Sequence, residues 1–310
     1  MSARDVLSLA PLSASQMQSL LALAARLKQA GHRPQTAGQP LRGRVLALLF
    51  QKPSMRTRVA FEVGMSQLGG ATTYLGPDDL QLGVREPVKD IARVLARYVD
   101  AIVARTFAHA DVEELARYAD VPVINGLSDL HHPCQALADL LTIQEAHGRL
   151  RGLTLGFVGD GNNVLHSLLE AASKVGLHVQ VAVPKGYEPD RTIWTAAVRE
   201  AKRSGARLTL THDPRAAARG ADALYTDVWT SMGQERERRR RLRVFRGFQI
   251  NAALLRLAAP GCRVLHCLPA HRGEEITDEA MEGPQSSVFD QAENRLHTHK
   301  AILLQVLKGR

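Results

Sequence analysis

The sequence predicts an α/β fold with two domains, each a parallel sheet flanked by helices. The chain has 310 residues, which is more than one typical core holds and is suited to two. Short apolar runs alternate with helical segments, and such continuous runs are typical of parallel strands that are covered on both faces. The predicted strands lie at 45–50, 101–104, 153–158, 179–183, 208–210, 224–225 and 264–267.

The first helix is predicted from its cap and its apolar face. Ser13 and Gln16 have the spacing of a capping box, in which each side chain accepts an N–H of the first turn. Helical spacing then places five apolar residues on one face, and Gly31 marks the end of the helix. These five are Met17, Leu20, Leu21, Ala24 and Leu27.

The domain boundary is predicted near residue 147, which gives domains at 1–147 and 148–290. A helix that starts at about Pro133 ends there, and a new strand begins at Leu153. The chain closes with a further segment of helical pattern.

Composition limits the class of protein. The apolar fraction of 45% and charged fraction of 23% argue against long disorder. The net charge of +9 fits a nucleic-acid binder, an enzyme that concentrates an anionic substrate, or an Arg-rich composition without functional meaning. The three cysteines form no C-x-x-C pair, which indicates free thiols in a reducing compartment. Without a secretory core or a membrane-length apolar run, we expect a cytoplasmic protein with no membrane partner.

Six arginines fall between Arg236 and Arg243, together with two glutamates. A nucleic-acid site would need aromatic side chains or a recognised module nearby, and the sequence offers neither. The run therefore favours a solvated helix face, and we predict no nucleic-acid partner.

The segment 50–58 predicts an anion site. It follows the first strand and precedes a helical pattern, so Ser54, Arg56 and Thr57 lie at a turn at the carboxyl end of a parallel strand. The helix N-terminus supplies N–H groups and positive potential, the hydroxyls can donate, and the guanidinium can grip phosphate oxygens. The G-x-x-x-x-G-K spacing of a P-loop is absent. The alternative is a solvent-facing basic turn.

His132 and Gln135 lie at the start of the predicted helix at Pro133. The imidazole could polarise a carbonyl and the amide could recognise another amide, although a lone histidine is more often structural. The sequence alone leaves both roles open.

The turn 159–163 resembles the start of a dinucleotide site but lacks its defining parts. Val164 occupies the third glycine position, and the next strand ends in Pro184-Lys185 instead of an acid that binds ribose. A nicotinamide-dependent dehydrogenase is therefore disfavoured. Asn162 and Asn163 remain candidates for binding a polar small molecule.

Two later strand ends carry polar side chains. Asp227 and Ser231 lie beside Gly233, so they could bind an ammonium group on a segment that is able to close. Cys267 ends the strand 264–267, and we expect its thiol to be exposed at a sheet edge. The alternative, an inert buried thiol, stays open.

Together these segments resemble the ornithine carbamoyltransferase family over nearly the whole chain. One departure is visible, because Ser54-Met55-Arg56-Thr57 stands where the family has Ser-Thr-Arg-Thr. Met55 lacks a hydroxyl but keeps its backbone N–H. The segments that carry the resemblance, in the family's order, are Asn125-Gly126-Leu127-Ser128-Asp129, Gly159-Asp160-Gly161-Asn162-Asn163, Pro184-Lys185-Gly186-Tyr187, Ser231-Met232-Gly233-Gln234-Glu235 and His266-Cys267-Leu268-Pro269.

The resemblance implies a transferase that converts carbamoyl phosphate and L-ornithine to L-citrulline and phosphate, a step of arginine biosynthesis, with the same residues serving either direction. It implies that the first domain, completed by a C-terminal helix at 291–310, binds the donor and that 148–290 binds the acceptor. It also implies a homotrimer or an assembly of trimers, in which a neighbouring subunit contributes Gln81. No cofactor or metal is expected, since the His and Cys residues lack zinc-ligand spacing.

The resemblance also assigns the site residues, and it implies that Arg105, His132 and Cys267 are catalytic. The phosphate is assigned to Ser54, the Met55 backbone, Arg56, Thr57, Gln81 and Arg105. The carbamoyl group is assigned to Arg105, His132, Gln135, Cys267, the Leu268 carbonyl and Arg295. The ornithine carboxylate is assigned to Asn163 and the Met232 backbone, and its α-ammonium to Asp227 and Ser231.

Other acceptors remain open. Aspartate would need a cationic pocket where the sequence places Asp227, Ser231 and Met232. Putrescine lacks the α-carboxylate that Asn163 and Met232 would bind, so the sequence favours ornithine.

Overall fold

The computed structural model describes residues 4–31, 39–80, 82, 85–231, 233 and 235–307. Within these ranges the chain forms nine strands, thirteen α-helices and one short 3₁₀ helix in two compact units. Unit 1 comprises Met1–Ala138 and Asn294–Arg310, and unit 2 comprises Asp139–Glu293. Each unit contains one parallel sheet with helices around it, which confirms the predicted fold class.

Unit 1 contains a four-stranded sheet in the order β2-β1-β3-β4. Its central strands β1 and β3 are in a register that places Phe50 opposite Arg105, so their carboxyl ends lie side by side. The strands are β1 Val45–Phe50, β2 Ala71–Leu75, β3 Ala101–Arg105 and β4 Val123–Leu127. The helices are α1 Ala14–Gln29, α2 Met55–Gln67, α3 Pro77–Leu80, α4 Val88–Leu95 and α5 His109–Tyr118, followed by α6 Pro133–His147, which starts in this unit.

The core of unit 1 is built mainly from aliphatic side chains. The predicted capping box of α1 is present, and all five residues of its predicted apolar face are buried. The last helix of the chain, α13 (Val288–Leu307), belongs to this unit from Asn294 onward. There the His299 ring stacks on Phe61 with centroids 3.9 Å apart, and Lys28 Nζ donates to Asn294 Oδ1 at 2.8 Å.

Unit 2 contains a five-stranded sheet in the order β7-β6-β5-β8-β9. The chain order reverses between β5 and β8, and ligands of open α/β sheets bind outside the strand ends at such a point. The strands are β5 Thr154–Val158, β6 His178–Ala182, β7 Leu208–Thr211, β8 Ala223–Thr226 and β9 Arg263–His266. The helices are α7 Asn163–Val175, α8 Arg191–Ser204, α9 Pro214–Ala218, α10 Arg238–Val244, α11 Ala252–Leu255 and α12 Asp278–Glu282.

The sequence did not predict β2 and β4. β2 is an edge strand whose residues are half-buried or exposed, so it lacks the continuous apolar run of its neighbours. β4 contains Asn125-Gly126, a pair typical of turns. In the structure a Cβ on Gly126 would lie 3.1 Å from Val103 Cγ1, so close strand packing accounts for this glycine. No helix within the described ranges is both long and apolar enough to cross a bilayer.

Candidate functional site

The turn between β1 and α2 has the predicted geometry of an anion site. Ser54 is the N-cap of α2, and its hydroxyl accepts the Thr57 N–H at 3.3 Å. The helix therefore starts at Met55, and its positive end lies next to the Ser54 and Thr57 hydroxyls, which are 3.2 Å apart. The Met55 side chain is 71% exposed, so the residue that departs from the family pattern points away from the core.

Two cations are buried at the adjacent strand end. Arg105 is the last residue of β3 and is only 6% exposed, and Lys52 is 7% exposed with its ammonium 4.4 Å from the centroid of the Phe107 ring. Burial, together with the charge of Arg105, lowers the pKa of Lys52. Because the Arg105 and Lys52 charges repel each other, an anion bound between them would stabilise the charged forms of both side chains.

His132 and Gln135 are both buried at the start of α6 in unit 1. The His132 carbonyl accepts the N–H groups of Gln135 and Ala136, which fixes the imidazole just before the helix. Burial, with the charges of Arg295 and Arg105, lowers the pKa of His132 well below its usual range. The ring is therefore neutral at physiological pH and can donate one N–H to a carbonyl oxygen.

α13 brings one distant residue to this site. Arg295 is 3% exposed, and its Nη2 donates to Thr57 Oγ1 at 2.7 Å. Unit 1 thus brings Ser54, Thr57, Arg105, His132 and Arg295 close together.

In unit 2 the turn after β5 orders the start of α7. Asn162 is the N-cap, and its Oδ1 accepts the N–H groups of Val164 and Leu165. Asn163 is therefore the first helical residue, at the positive end of the helix dipole. A Cβ on Gly161 would lie 2.4 Å from the backbone of Glu188, so this glycine serves close packing and needs no dinucleotide to explain it.

Asp227 and Cys267 meet at the ends of β8 and β9. The Cys267 thiol donates to Asp227 Oδ1 at 3.0 Å, while Asn162 Nδ2 donates to Asp227 Oδ2 at 2.7 Å. The expectation that Cys267 is exposed is wrong, because its side chain is buried against Asp227 although β9 is an edge strand. Burial, with the adjacent negative charge, raises the pKa of this thiol well above its usual range.

The backbone around Cys267 is held by a buried histidine and glutamate. His266 Nε2 lies 3.1 Å from Glu275 Oε1, and both side chains are fully buried. His266 Nδ1 accepts the Leu268 N–H at 2.8 Å, so the other nitrogen carries the proton and donates to the carboxylate. Leu268 has φ 59°, an uncommon conformation for a residue with a side chain, and the imidazole stabilises it.

The arginine run is only partly a solvated face. Most of its residues are exposed, as predicted, but Arg241 is 4% exposed and forms an ion pair with Asp160. Its Nε also donates to the Trp229 carbonyl, and its guanidinium lies 4.9 Å from the Tyr187 ring centroid. One residue of this otherwise exposed run, Arg241, is therefore structural, since it binds α10 to the turns after β5 and β8.

For two predicted site residues the structure gives the position in the chain fold and the degree of burial. Arg56 lies in the first turn of α2, and Ser231 follows β8; both are half-buried. Gln81 and Met232 lie outside the described residues.

Sequence reasoning missed several supporting residues. Lys52 was inside the predicted anion segment and could have been found from its charge next to a strand end. Asn162 was named as a candidate ligand, but its contact with Asp227 was missed, as were the supporting roles of Glu275 and Arg241. The partners of these three residues are 65, 9 and 81 positions away in the chain. No local pattern reveals such pairs.

Two family models together match most of the chain. The model described as the carbamoyl-P binding domain of aspartate/ornithine carbamoyltransferase matches residues 4–145. The model described as the Asp/Orn binding domain of the same family matches residues 151–306.

Individual relatives agree with these models. The chain is 57% identical to ornithine carbamoyltransferase of Thermus thermophilus over 98% of this chain and 97% of the relative. It is 56% identical to ornithine carbamoyltransferase of Gloeobacter violaceus over 99% and 96% of the two chains. The solved ornithine carbamoyltransferase of Pyrococcus furiosus matches with a TM-score of 0.95 and 52% identity, covering 99% of this chain and 98% of that one. The chain therefore belongs to the aspartate/ornithine carbamoyltransferase family.

Proposed function

We propose that the chain is an ornithine carbamoyltransferase, a transferase that converts carbamoyl phosphate and L-ornithine to L-citrulline and phosphate. One observation carries the proposal: unit 1 buries Arg105, Arg295 and Lys52 near a histidine that burial keeps neutral. Such a cluster suits a small donor that combines a phosphate with a carbonyl group.

The donor phosphate binds at the β1–α2 turn in this proposal. Ser54, the Met55 backbone, Arg56 and Thr57 supply N–H, hydroxyl and guanidinium donors, and Arg105 adds a buried charge. Negative charge grows on the phosphate as it leaves, and preorganised donors stabilise charge that develops in the transition state. Gln81 of a neighbouring subunit completes this site if the protein assembles as a homotrimer or as several trimers.

The carbamoyl group is polarised by neutral donors and cations. His132 donates an N–H to the carbonyl oxygen, and Arg105 and Arg295 stabilise the oxyanion that forms. Gln135, Cys267 and the Leu268 carbonyl hold the amide nitrogen and fix the face that the amine attacks.

The acceptor binds through unit 2. Asn163, at the positive end of α7, and the Met232 backbone take the α-carboxylate, and Asp227 and Ser231 take the α-ammonium. This arrangement favours ornithine over putrescine, which has no carboxylate. Aspartate lacks an ammonium side chain, and the carboxylate of Asp227 would repel its second carboxylate.

The chemical step is attack by the uncharged side-chain amine on the carbamoyl carbon. An alkyl amine has a pKa of about 10.4, so it must first lose a proton, which goes to solvent. The new C–N bond then forms, the C–O bond to phosphate breaks, and phosphate leaves with the electron pair and takes the second proton from the attacking nitrogen. Because the Cys267 thiol is held protonated, its role is to orient the amine beside Asp227 and not to accept the proton.

The organisation of the chain completes the proposal. We assign donor binding to residues 1–147 with 291–310 and acceptor binding to 148–290, which is supported by family models matching 4–145 and 151–306. The boundary between the two compact units falls inside α6, after Ala138. The enzyme is expected to act in the cytoplasm, in arginine biosynthesis, without a metal or cofactor in the transfer step.

The test is citrulline formation from carbamoyl phosphate with ornithine, run beside aspartate and putrescine at equal concentrations. We expect turnover with ornithine and little with the other two amines. Calorimetry with carbamoyl phosphate alone should show saturable binding. Folded protein that neither binds the donor nor forms citrulline would overturn the proposal.

A further inference from the structure

A compact cluster of three possible metal ligands lies in the turn between β9 and α12. His271, Glu274 and Glu275 each offer one ligand atom, and these three atoms lie within 4.8 Å of one another. The turn is held by its own backbone, since Glu274 N donates to the His271 carbonyl at 2.9 Å and Gly273 N to the Ile276 carbonyl at 2.8 Å. The spacing of the three ligands is therefore built into the fold.

Each carboxylate of the cluster uses one oxygen within the protein and directs the other at His271. Glu275 Oε1 accepts the backbone N–H of His271 at 2.5 Å and lies 3.1 Å from His266 Nε2. Glu275 Oε2 is buried, has no hydrogen-bond partner among the described residues, and lies 3.9 Å from His271 Nδ1. Glu274 Oε1 pairs with Arg238, while its Oε2 also lies 3.9 Å from His271 Nδ1.

We propose that His271, Glu274 and Glu275 form a binding site for a divalent transition-metal ion such as Zn²⁺. Zinc bonds to nitrogen and oxygen are about 2.0–2.2 Å long, so tetrahedral ligand atoms lie roughly 3.4 Å apart. The two His271–carboxylate separations of 3.9 Å exceed this by about half an ångström, and all three ligand atoms lie within 4.8 Å of one another, so rotations of the side chains bring them to an ion. Water completes the coordination, and the half-exposed His271 ring gives the ion a path of entry.

Two observations favour a metal ion at this turn. His271 Nδ1 and Glu275 Oε2 are both buried, lie 3.9 Å apart and have no hydrogen-bond partner among the described residues, so both atoms are available to an ion. The neighbouring group of Asp227, His266 and Cys267 also has metal-binding residue types, but its ligand atoms already take part in hydrogen bonds. The ion therefore belongs at the turn, apart from the transfer chemistry.

The experiment is titration of the chelator-stripped full-length protein with Zn²⁺ by calorimetry, and with Co²⁺ by visible absorption. We expect one ion per chain. His271→Ala and Glu274→Gln should each weaken binding at least 100-fold, because even outer-shell changes cost about 10–100-fold. His212→Ala is the matched control, since His212 is similarly exposed and lies near one glutamate only. Cys267→Ser tests whether the ion binds instead at the neighbouring group of Asp227, His266 and Cys267.

The result that supports the site is binding that survives His212→Ala and Cys267→Ser but not His271→Ala or Glu274→Gln. Thermal unfolding of each stripped variant shows whether its fold is kept, and Glu274→Gln preserves the shape of the side chain. Absence of binding to the wild type, binding unchanged in both turn variants, or binding lost in Cys267→Ser would each overturn the proposal. These readouts do not depend on carbamoyl transfer, so they are independent of the proposed function.

Discussion

The two units present candidate sites of opposite character. Unit 1 buries Arg105, Arg295 and Lys52 around a neutral His132, so its site is a fixed positive field. Unit 2 places the Asp227 carboxylate against a protonated Cys267 thiol, held by hydrogen bonds from neighbouring turns. In the proposed function the first site stabilises charge, and the second orients a cationic amino acid. Removing a charge should therefore reduce turnover in unit 1, whereas removing a hydrogen bond should disturb acceptor binding in unit 2.

The largest expected effect is in unit 1. Arg105→Ala should lower turnover by about 10²–10³-fold, because removing one donor to a developing oxyanion typically has this effect. Steady-state rates with saturating substrates measure the change, and circular dichroism checks the fold. Arg97→Ala is the matched control, since Arg97 is exposed in the same unit. Near-normal turnover of folded Arg105→Ala would mean that the field of unit 1 is not catalytic.

The second prediction concerns Cys267. Cys267→Ser should lower turnover by about 10–100-fold, which is less than the 10²–10⁴-fold typical of a general base, because the thiol only orients the amine. The rate of both proteins should rise with pH above neutrality, since the titrating group is the amine of the substrate. Rate profiles from mildly acidic to alkaline pH test this, and a rise that disappears in Cys267→Ser would identify the thiol as the base.

The third prediction is a pH dependence of stability in unit 2. Burial, only partly offset by Arg241, raises the pKa of Asp160 to about 6. The folded state then binds more protons than the unfolded state between about pH 4 and 6, so the free energy of unfolding falls as pH rises through this window. Above pH 6 the stabilisation by the proton on Asp160 is lost. The free energy of unfolding is then lower by about 2 kcal/mol, after allowing for residual solvation of the carboxylate.

Asp160→Asn isolates that dependence, because the amide cannot ionise. Denaturant unfolding at about pH 4.5, near the start of the window, and at about pH 7.5, above it, should show the variant gaining stability relative to the wild type at the higher pH. If the variant instead becomes less stable at the higher pH, the Arg241 ion pair outweighs the burial of the Asp160 charge.

Local sequence patterns predicted most of the fold and the strand–turn–helix at Ser54–Thr57, whereas Arg105 and Arg295 were assigned only through the family resemblance. Continuous apolar runs marked seven of the nine strands found in the described ranges, and the capping box at Ser13 and Gln16 marked where α1 begins. The anion site is local because a strand end, a turn and a helix N-terminus are consecutive in the chain. Arg295 is its exception, since α13 returns from the far end of the chain.

The unit 2 site was less predictable because its key contacts join distant turns. Cys267 is buried against Asp227, which lies 40 positions earlier in the chain. Its position at the end of β9, an edge strand, suggested an exposed thiol, and this prediction was wrong because the contact with Asp227 is not local. The arginine run hid Arg241 for a similar reason, since its partner lies 81 positions away. Side chains that act through such pairs leave no periodic signal in the sequence.

The smallest expected effect distinguishes the positioning of the Asp227 carboxylate from the stability of unit 2. Asn162 caps α7 and also donates to Asp227, whereas Asp190 caps α8 through the N–H groups of Thr192 and Ile193 at the surface. Asn162→Ala and Asp190→Ala should each reduce stability by about 1 kcal/mol, because each removes one N-cap. Only Asn162→Ala should also raise the KM for ornithine, by several-fold, while the KM for carbamoyl phosphate stays the same, since only this change releases the Asp227 carboxylate. Equal effects of the two variants on the ornithine KM would show that Asp227 needs no support from Asn162, and that acceptor binding depends on the overall stability of unit 2.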